Sequence, residues 1–314
     1  MTLRMRGWLL AVGLALSGVP GWSWSGAAPV PQERLHHSVW TPKDGAPSDV
    51  WAISQTQDGW MWFGGPSGLY RFDGVTFERV DTEPSGSTRS TAVSALMALP
   101  SGELVIGYRN GGVAIVTDGR ARAYHEADGF DGGTVFDLTV DARGALWVAT
   151  RTGLHRYAQG RWQRVGAEAG LLDRSTVSVA VDPDGRLWVS TSTGVLQRGV
   201  DDARFTQVLQ TDGPVALVVA RDGRVWCELP DILRVCPSQQ PARAGNPVPR
   251  SSVSNTAVFD RDGLVWLLQD HGLGRTILSA GQDELTGWSQ PRPGVEQIVG
   301  LDGIGSKTMF EDRA

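Results

Sequence analysis

A glycine turn that recurs about every 40 residues restricts the fold of this chain more than any other feature. Its best copies contain a Trp three residues after the glycine. The turn glycines are spaced 43, 42, 41, 38 and 40 residues apart, at Gly59, Gly102, Gly144, Gly185, Gly223 and Gly263. Glycine suits such turns because it adopts positive φ without steric cost.

Each period contains about four short strand-like segments separated by turns. In the first copy, residues 60–64 and 69–72 are strand-like, and turns lie at residues 58–59, 65–68 and 73–74. This pattern predicts an all-β propeller of four-stranded blades, in which each blade buries both faces against its neighbours. The recurring tryptophans are expected to fill the wedges between blades: Trp62, Trp147, Trp188, Trp226 and Trp266.

The N-terminus is typical of a bacterial export signal. Arg4 and Arg6 precede an apolar run at residues 8–19, and small residues follow at 25–27. An uncleaved anchor is the alternative, although the apolar run is short for a bilayer. We therefore predict a periplasmic protein with the following parts: signal peptide 1–27, leader 28–36 and propeller domain 37–314.

Two cysteines, Cys227 and Cys236, fall on the two strands of one predicted hairpin that turns at residues 229–231. Disulfides persist outside the cytoplasm, so a bond across this hairpin is a candidate. Its formation depends on whether the strand register brings the two Cβ atoms together. The alternative is two separately buried thiols.

The blades are predicted to begin near Val50, Ala92, Thr134, Thr176, Val215 and Thr256. The second blade has Val105 in place of Trp and an extra residue at 108–112. The fifth lacks its second turn glycine, and a Pro-rich surface loop at 237–249 joins it to the sixth.

Both ends of the chain bear on closure of the ring. Trp40 precedes Asp44 by four residues, as Tyr124 precedes Asp128, so residues 37–40 are predicted to be an outermost strand that closes the last blade. Residues 303–314 have the pattern of another innermost strand. These features predict a seven-bladed plan with six complete blades and a seventh cut short. The chain would then be a piece of a longer protein and, by itself, poorly soluble or only partly closed.

The recurring Asp-Gly-x-x-Trp-x-x-Thr-x-x-Gly-Leu pattern, with Asp-Gly-x-Pro-Ser before an inner strand, resembles the two-component regulator propeller repeat over residues 36–314. The resemblance implies an extracytoplasmic sensor region of a bacterial membrane receptor. It also implies seven-bladed propellers, followed by a β-sandwich, a transmembrane helix and a histidine kinase or diguanylate cyclase. Contact with the membrane would come only through those absent segments, and the full-length protein could form a receptor dimer.

Motifs for catalysis, metal binding and cofactor binding are missing from the sequence. The five histidines form no His-Glu-x-x-His, and there is no Gly-x-Ser-x-Gly, phosphate loop or Cys-x-x-Cys. Residues 182–185 and 260–263 resemble calcium loops only weakly and are predicted to be hairpin turns. The net charge of −5, without a basic patch, argues against a nucleic-acid partner.

The remaining candidate site is one rim of the propeller, where the loops entering the innermost strands meet the loops joining second to third strands. Candidate ligand-binding residues on this rim are Arg109, Asn110, Arg151 and His271. They could hold an acidic or polyhydroxylated ligand, such as a saccharide, through charge-assisted hydrogen bonds. The alternative is that they are ordinary solvated loop residues.

Three functions are compatible with these features. The first is a non-catalytic sensory propeller that binds an extracytoplasmic ligand. The second is a secreted lyase or hydrolase acting on a carbohydrate or cyclic peptide, which would need acid–base groups converging on the funnel. The third is a secreted scaffold that binds another protein.

Overall fold

The computed structural model describes residues 38–81, 91–172, 175–229, 232–238, 257–269, 272–286 and 296–297. Three single-turn 3-10 helices each precede a first strand: η1 Pro42–Asp44, η2 Glu126–Asp128 and η3 Ala167–Ala169. The strands are β1 Ala52–Gln55, β2 Met61–Gly65, β3 Gly68–Phe72, β4 Phe77–Val80, β5 Val93–Ala98, β6 Leu104–Tyr108, β7 Val113–Thr117, β8 Arg120–Tyr124, β9 Val135–Val140, β10 Leu146–Thr150, β11 Gly153–Ala158, β12 Arg161–Val165, β13 Thr176–Val181, β14 Leu187–Thr191, β15 Gly194–Arg198, β16 Thr206–Gln210, β17 Ala216–Val219, β18 Val225–Leu229, β19 Ile232–Val235, β20 Ala257–Phe259, β21 Leu264–Gln269, β22 Gly272–Ile277, β23 Glu284–Thr286 and β24 Glu296–Gln297. The predicted all-β class is confirmed. Within these ranges, no helix has the length and apolarity needed to cross a membrane.

The strands form four-stranded antiparallel sheets, and the first four sheets follow chain order as β1–β4, β5–β8, β9–β12 and β13–β16. The first strands of successive sheets pack against one another, from β1 through β5, β9, β13 and β17 to β20. This arrangement is that of propeller blades, as predicted. The described residues contain six blades, each starting within two residues of its predicted position. The predicted partial seventh blade, the signal peptide and most of the Pro-rich loop lie outside the described residues.

The fifth and sixth blades depart from chain order, which the sequence did not predict. The fourth strand of the fifth blade is β23, which follows the third strand of the sixth blade in the chain. Leu285 of β23 pairs with Leu233 of β19. The Val235 N–H donates to the Asp283 carbonyl (2.8 Å), and Arg224 Nη1 donates to Asp283 Oδ1 (2.6 Å). The Pro-rich sequence after β19 is a poor fourth strand because proline has no N–H to donate.

Four of the five recurring tryptophans lie in the seams between blades, as predicted, whereas Trp266 is only partly buried and belongs to no described core cluster. Trp147 packs against Val189 of the fourth blade, and Trp188 packs against Leu217 of the fifth. Both indoles are 1% exposed, so each contributes nearly its whole surface to the core. The equivalent positions in other seams hold Trp62, Val105 and Trp226.

An aspartate six residues before the Trp fixes the first turn of three blades. Asp182 Oδ2 accepts a hydrogen bond from Trp188 Nε1 (2.9 Å), and its Oδ1 accepts from the backbone N–H groups two and four residues later (3.1 and 2.9 Å). The same bond to the indole joins Asp141 to Trp147 and Asp260 to Trp266. These carboxylates serve the turns, which agrees with the prediction of hairpin turns at residues 182–185 and 260–263.

An aromatic pair closes the outer part of two seams. Tyr124 at the end of β8 contacts Tyr157 of the third blade, with ring centroids 5.2 Å apart. Trp40 contacts Phe72 of the first blade in the same way, at 5.1 Å. Trp40 therefore occupies the position expected of an outermost-strand residue. Residues 38–40 form no strand in the part of the chain that the structure describes, and the last blade that they were predicted to close lies outside it, so the closing strand stays a prediction.

Candidate functional site

Hydrogen bonds between loops build the rim that the sequence singled out. The Arg109 N–H donates to the Ala92 carbonyl (3.0 Å), and the Arg151 N–H donates to the Thr134 carbonyl (3.0 Å). In each case the loop joining the second and third strands is tied to the loop entering the first strand of the same blade. Both kinds of loop therefore lie at the same end of the blade, which is the geometry that the sequence predicted.

Arg109 and Asn110 are exposed on the loop between β6 and β7. The Arg109 guanidinium lies 5.1 Å from the ring centroid of Trp51, in the loop that enters the first blade. The Trp51 indole in turn donates to Asp49 Oδ2 (3.1 Å). Arg109 thus links the rim loops of two neighbouring blades by a cation–π contact while remaining accessible to solvent.

Arg151 is exposed on the loop between β10 and β11, one blade further on. A Cβ added at Gly133 would come within 3.4 Å of the Arg151 Cβ, so the two rim loops of the third blade are closely packed. His271 lies outside the described residues. The structure therefore locates three of the four predicted residues on rim loops of the second and third blades.

A buried histidine on β11 bonds to the loop that enters the first strand of the third blade, and it is not among the candidate residues of the rim. His155 Nε2 lies 2.6 Å from Asp131 Oδ1, and Arg164 Nη1 lies 3.6 Å from Asp131 Oδ2. The His155 side chain is 0% exposed, whereas that of Asp131 is 45% exposed. Thr152 Oγ1 also donates to the Asp131 carbonyl (3.2 Å).

The environment keeps His155 neutral and Asp131 ionised. Burial lowers the pKa of His155, because an imidazolium would lose its hydration, and the bond to Asp131 opposes this shift only in part. The hydrogen bond from His155 lowers the pKa of Asp131 below its usual value. A neutral His155 with its proton on Nε2 can donate to the carboxylate. The remaining surface of Asp131 can accept hydrogen bonds from solvent or a ligand.

Of the two side chains, only that of Asp131 is open to solvent or a ligand. His155 cannot reach a ligand because its ring is covered, with Phe130 packed 4.9 Å away. The sequence signal was faint: the equivalent positions of the first and fourth blades hold Tyr70 and Leu196. The other three described blades hold Ala114, Arg234 and Gly274 there, so no repeat pattern marks this position. The partner of His155 lies 24 residues away and cannot be identified from spacing alone.

The innermost strands carry a second buried polar group. Asp137 Oδ2 accepts from Ser178 Oγ (2.8 Å) and from the Val179 N–H (2.9 Å) of the next blade. Ser178 Oγ in turn accepts from the Leu217 N–H (3.2 Å) of the blade after that. These bonds link three blades through their first strands.

A disulfide joins Cys227 to Cys236, with their Cα atoms 5.3 Å apart. The Cys236 N–H donates to the Val225 carbonyl (2.8 Å) just beyond the paired part of β19. The strand register therefore brings together the two thiols that the sequence offered as a candidate pair.

The comparison with family models finds a Two component regulator propeller repeat at residues 170–193. This segment runs from the glycine after η3 through β13 and β14, and it confirms the resemblance stated from the sequence. A comparison with curated proteins finds no significant match.

Three solved structures with a similar fold are distant from this chain in sequence. The extracellular domain of a protein described as a hybrid two component system, BT3049 from B. thetaiotaomicron, has a TM-score of 0.65 and 15% identity, covering 84% of this chain and 38% of that chain. YCF48 from Cyanidioschyzon merolae has a TM-score of 0.58 and 15% identity, covering 83% and 88%. A catalytically inactive virginiamycin B lyase from Staphylococcus aureus, with Quinupristin, has a TM-score of 0.57 and 12% identity, covering 78% and 86%. At these identities the likeness shows the propeller fold alone.

Proposed function

We propose that this chain is the non-catalytic sensory propeller of a bacterial membrane receptor of the two-component or cyclic-di-GMP type. The observation that carries the proposal is the regulator propeller repeat at residues 170–193, whose turn and Trp recur in the other blades. Residues 1–27 would export the chain to the periplasm. The seven-bladed plan, with residues 303–314 beginning the seventh blade, belongs to the same proposal.

The proposed ligand site is the rim that carries Arg109, Asn110 and Arg151, with His271 added from the sequence. Among the described residues, neither Arg109 nor Arg151 has a salt-bridge partner, so both guanidinium groups can serve a ligand. Asp131 adds an accessible acceptor beside Arg151. A saccharide with acidic and hydroxyl groups matches these donors and this acceptor.

A thermal-shift screen of neutral and acidic oligosaccharides against the exported chain tests the proposal. A true ligand should raise the Tm of the wild type, and this shift should be lost in Arg109→Gln or Arg151→Gln. Arg161→Gln is the matched control, because Arg161 is also exposed but lies at the opposite end of its blade. Equal shifts in all variants would exclude the rim as the site, and failure of every oligosaccharide would exclude a saccharide ligand.

The alternative is a secreted enzyme acting on a carbohydrate or cyclic peptide. The similarity to a lyase extends only to the fold. The side chain of His155 is buried, so it is not placed to act as an acid or base on a ligand at the rim. Mass spectrometry of each stabilising ligand after incubation separates the two functions: an unchanged ligand supports the sensor, and a cleaved or rearranged ligand supports the enzyme.

A further inference from the structure

A groove of about 520 Å³ opens along the seam between the third and fourth blades. Trp147 lines its base, and Arg156 from β11 and Arg198 from β15 line its walls. The turn between β9 and β10 borders it through Arg143. That turn lies at the end of the strands opposite the loop that carries Arg151, so the groove is separate from the candidate rim.

The groove exists because this seam lacks the aromatic pair that closes two others. Arg198 pairs with Leu187, the residue before Trp188, just as Tyr157 pairs with Leu146 before Trp147. Arg198 therefore occupies the position of Tyr157 one blade later. The same position in the remaining blades holds Phe72, Val116, Cys236 and Thr276.

The facing position has also lost its aromatic ring. Val165 ends β12 and pairs with Leu154, as Tyr124 ends β8 and pairs with Val113. A contact between two aromatic rings is thus replaced by a valine and an arginine, and the Arg198 Cζ also lies 5.0 Å from the ring centroid of Phe205. Among the six described blades, only the fourth has a charged group at this position.

The two arginines converge on one indole from different blades. The Arg156 Cζ lies 5.7 Å from the Trp147 ring centroid, and the Arg198 Cζ lies 4.8 Å from it. Within the described part of the chain, neither guanidinium has a salt-bridge partner. The Arg198 Nε is buried and has no hydrogen-bond partner there. A buried donor without an acceptor is costly, so the site is incomplete as it stands.

The charges around Arg198 also favour binding of an anion in the groove. Burial lowers the pKa of Arg198 and the positive charge of Arg156 lowers it further, while the carboxylates of Asp141 and Asp202 oppose the shift only in part. Two like charges held together in a partly desolvated seam repel each other. An oxyanion between them would relieve the repulsion and accept hydrogen bonds from both guanidinium groups.

The carboxylates that also line the groove limit which anion can enter. Each has a partner already: Asp141 accepts from Trp147, Asp201 from Arg143 (3.1 Å), Glu168 from the Gly166 N–H (2.9 Å) and Asp202 from the Gly199 N–H (3.0 Å). Glu168, Asp201 and Asp202 are exposed. Their charge would repel a polyanion, while their free lone pairs could accept hydrogen bonds from a ligand's donors.

We propose that this groove binds a small ligand with a single carboxylate, held between Arg156 and Arg198, and with hydroxyl or ammonium donors that face Glu168 and Asp202. The groove volume falls within the range of small-molecule sites. Acidic monosaccharides and free amino acids share this chemistry. The proposal rests on the seam geometry and does not depend on the receptor function proposed above.

Calorimetric titration of the full chain at fixed ionic strength tests the proposal. The probes are D-glucuronate and L-serine, and D-glucose is the control because it is an uncharged sugar of similar size to glucuronate. Saturable binding of glucuronate but not serine identifies an acidic sugar, and the reverse identifies an amino acid. Glucose should not bind. Failure of both carboxylates to bind, or equal binding of glucose and glucuronate, overturns the proposal.

Substitution of the two groove arginines tests whether the ligand binds in this groove. Arg156→Gln and Arg198→Leu should each weaken binding of the positive probe at least tenfold, and Leu at position 198 restores the uncharged character of the other blades. Arg122→Gln is the control, because the Arg122 Cζ also lies over an aromatic ring, 4.9 Å from the centroid of Tyr124, but outside this groove. Circular dichroism verifies that each variant is folded. Wild-type affinity in folded Arg156→Gln and Arg198→Leu overturns the proposal.

Discussion

Restoring one missing carboxylate should stabilise the fifth blade. In this blade Ala220 stands where the fourth blade has Asp182, six residues before the Trp. The turn is otherwise the same: the Ala220 N–H donates to the Arg224 carbonyl (2.9 Å), and the Gly223 N–H donates to the Ala220 carbonyl (3.0 Å). The Trp226 Nε1 is buried and has no acceptor among the described residues. Ala220→Asp would supply that acceptor without changing the backbone.

The expected gain follows from two opposing effects. Satisfying a buried donor contributes about 1–3 kcal/mol. Burial of a new carboxylate opposes this gain, since Ala220 is only 3% exposed. Asp182 is 1% exposed and is held by the turn N–H groups and by Arg186, and Arg224 is the equivalent arginine in the fifth blade. The net gain in the free energy of unfolding should be about 1 kcal/mol, or about 2–4 °C in Tm.

A double-mutant cycle with Trp226→Phe separates the new bond from other effects. Chemical denaturation of the wild type, Ala220→Asp, Trp226→Phe and the double variant should give a coupling energy of about 1 kcal/mol, because phenylalanine has no N–H to donate. Ala220→Asn, which offers a neutral acceptor, should give a smaller gain. Equal or lower stability of Ala220→Asp, with no coupling to Trp226→Phe, would refute the reasoning.

Three further predictions concern the seams, the disulfide and the buried histidine. Trp147→Ala and Trp188→Ala should each cost about 3–5 kcal/mol in chemical denaturation, since a fully buried indole leaves a cavity; near-neutral variants would contradict the packing. Mass spectrometry of the non-reduced, exported protein should show a deficit of about two daltons in the peptide that contains Cys227 and Cys236, and complete alkylation of the unfolded, non-reduced protein would exclude the bond. The folded-state pKa of His155 is lowered from 6.5, so the unfolded chain takes up this proton first and stability should fall as pH falls below about 6.5. His155→Gln should flatten the pH dependence between about 7 and 5, and an unchanged slope would show that other groups cause it.

Sequence reasoning located the blades because their signals are local. A turn glycine and a Trp three residues later lie on one hairpin, so a single period fixes where the first and second strands run. The fourth strand of the fifth blade was not predictable in this way. β23 reaches it from beyond the sixth blade, and only nonlocal pairing, such as that of Leu285 with Leu233, reveals the exchange.

For the candidate rim, the positions of the loops were predictable from the sequence, but the contacts between their side chains were not. Arg109 and Arg151 were assigned to rim loops because strand order alone fixes the end at which a loop lies. The contact of Arg109 with Trp51 and that of His155 with Asp131 were missed because each joins separate repeats or separate loops. The groove at Arg198 required the strand register, which shows that this arginine replaces an uncharged residue of every other blade.

The fifth blade shows how losses in one repeat are offset elsewhere. It lacks the aspartate that accepts from the indole, leaving Trp226 Nε1 without a described acceptor, and its fourth strand, β23, comes from beyond the sixth blade rather than from its own repeat. The same blade holds the disulfide between Cys227 and Cys236, whose sequence separation is 9. Closing a loop of that size removes unfolded-state entropy equivalent to about 3 kcal/mol, comparable to the hydrogen bonds that the blade lacks. Because disulfides persist mainly in oxidising compartments, this contribution to the stability of the fifth blade would be lost in a reducing one.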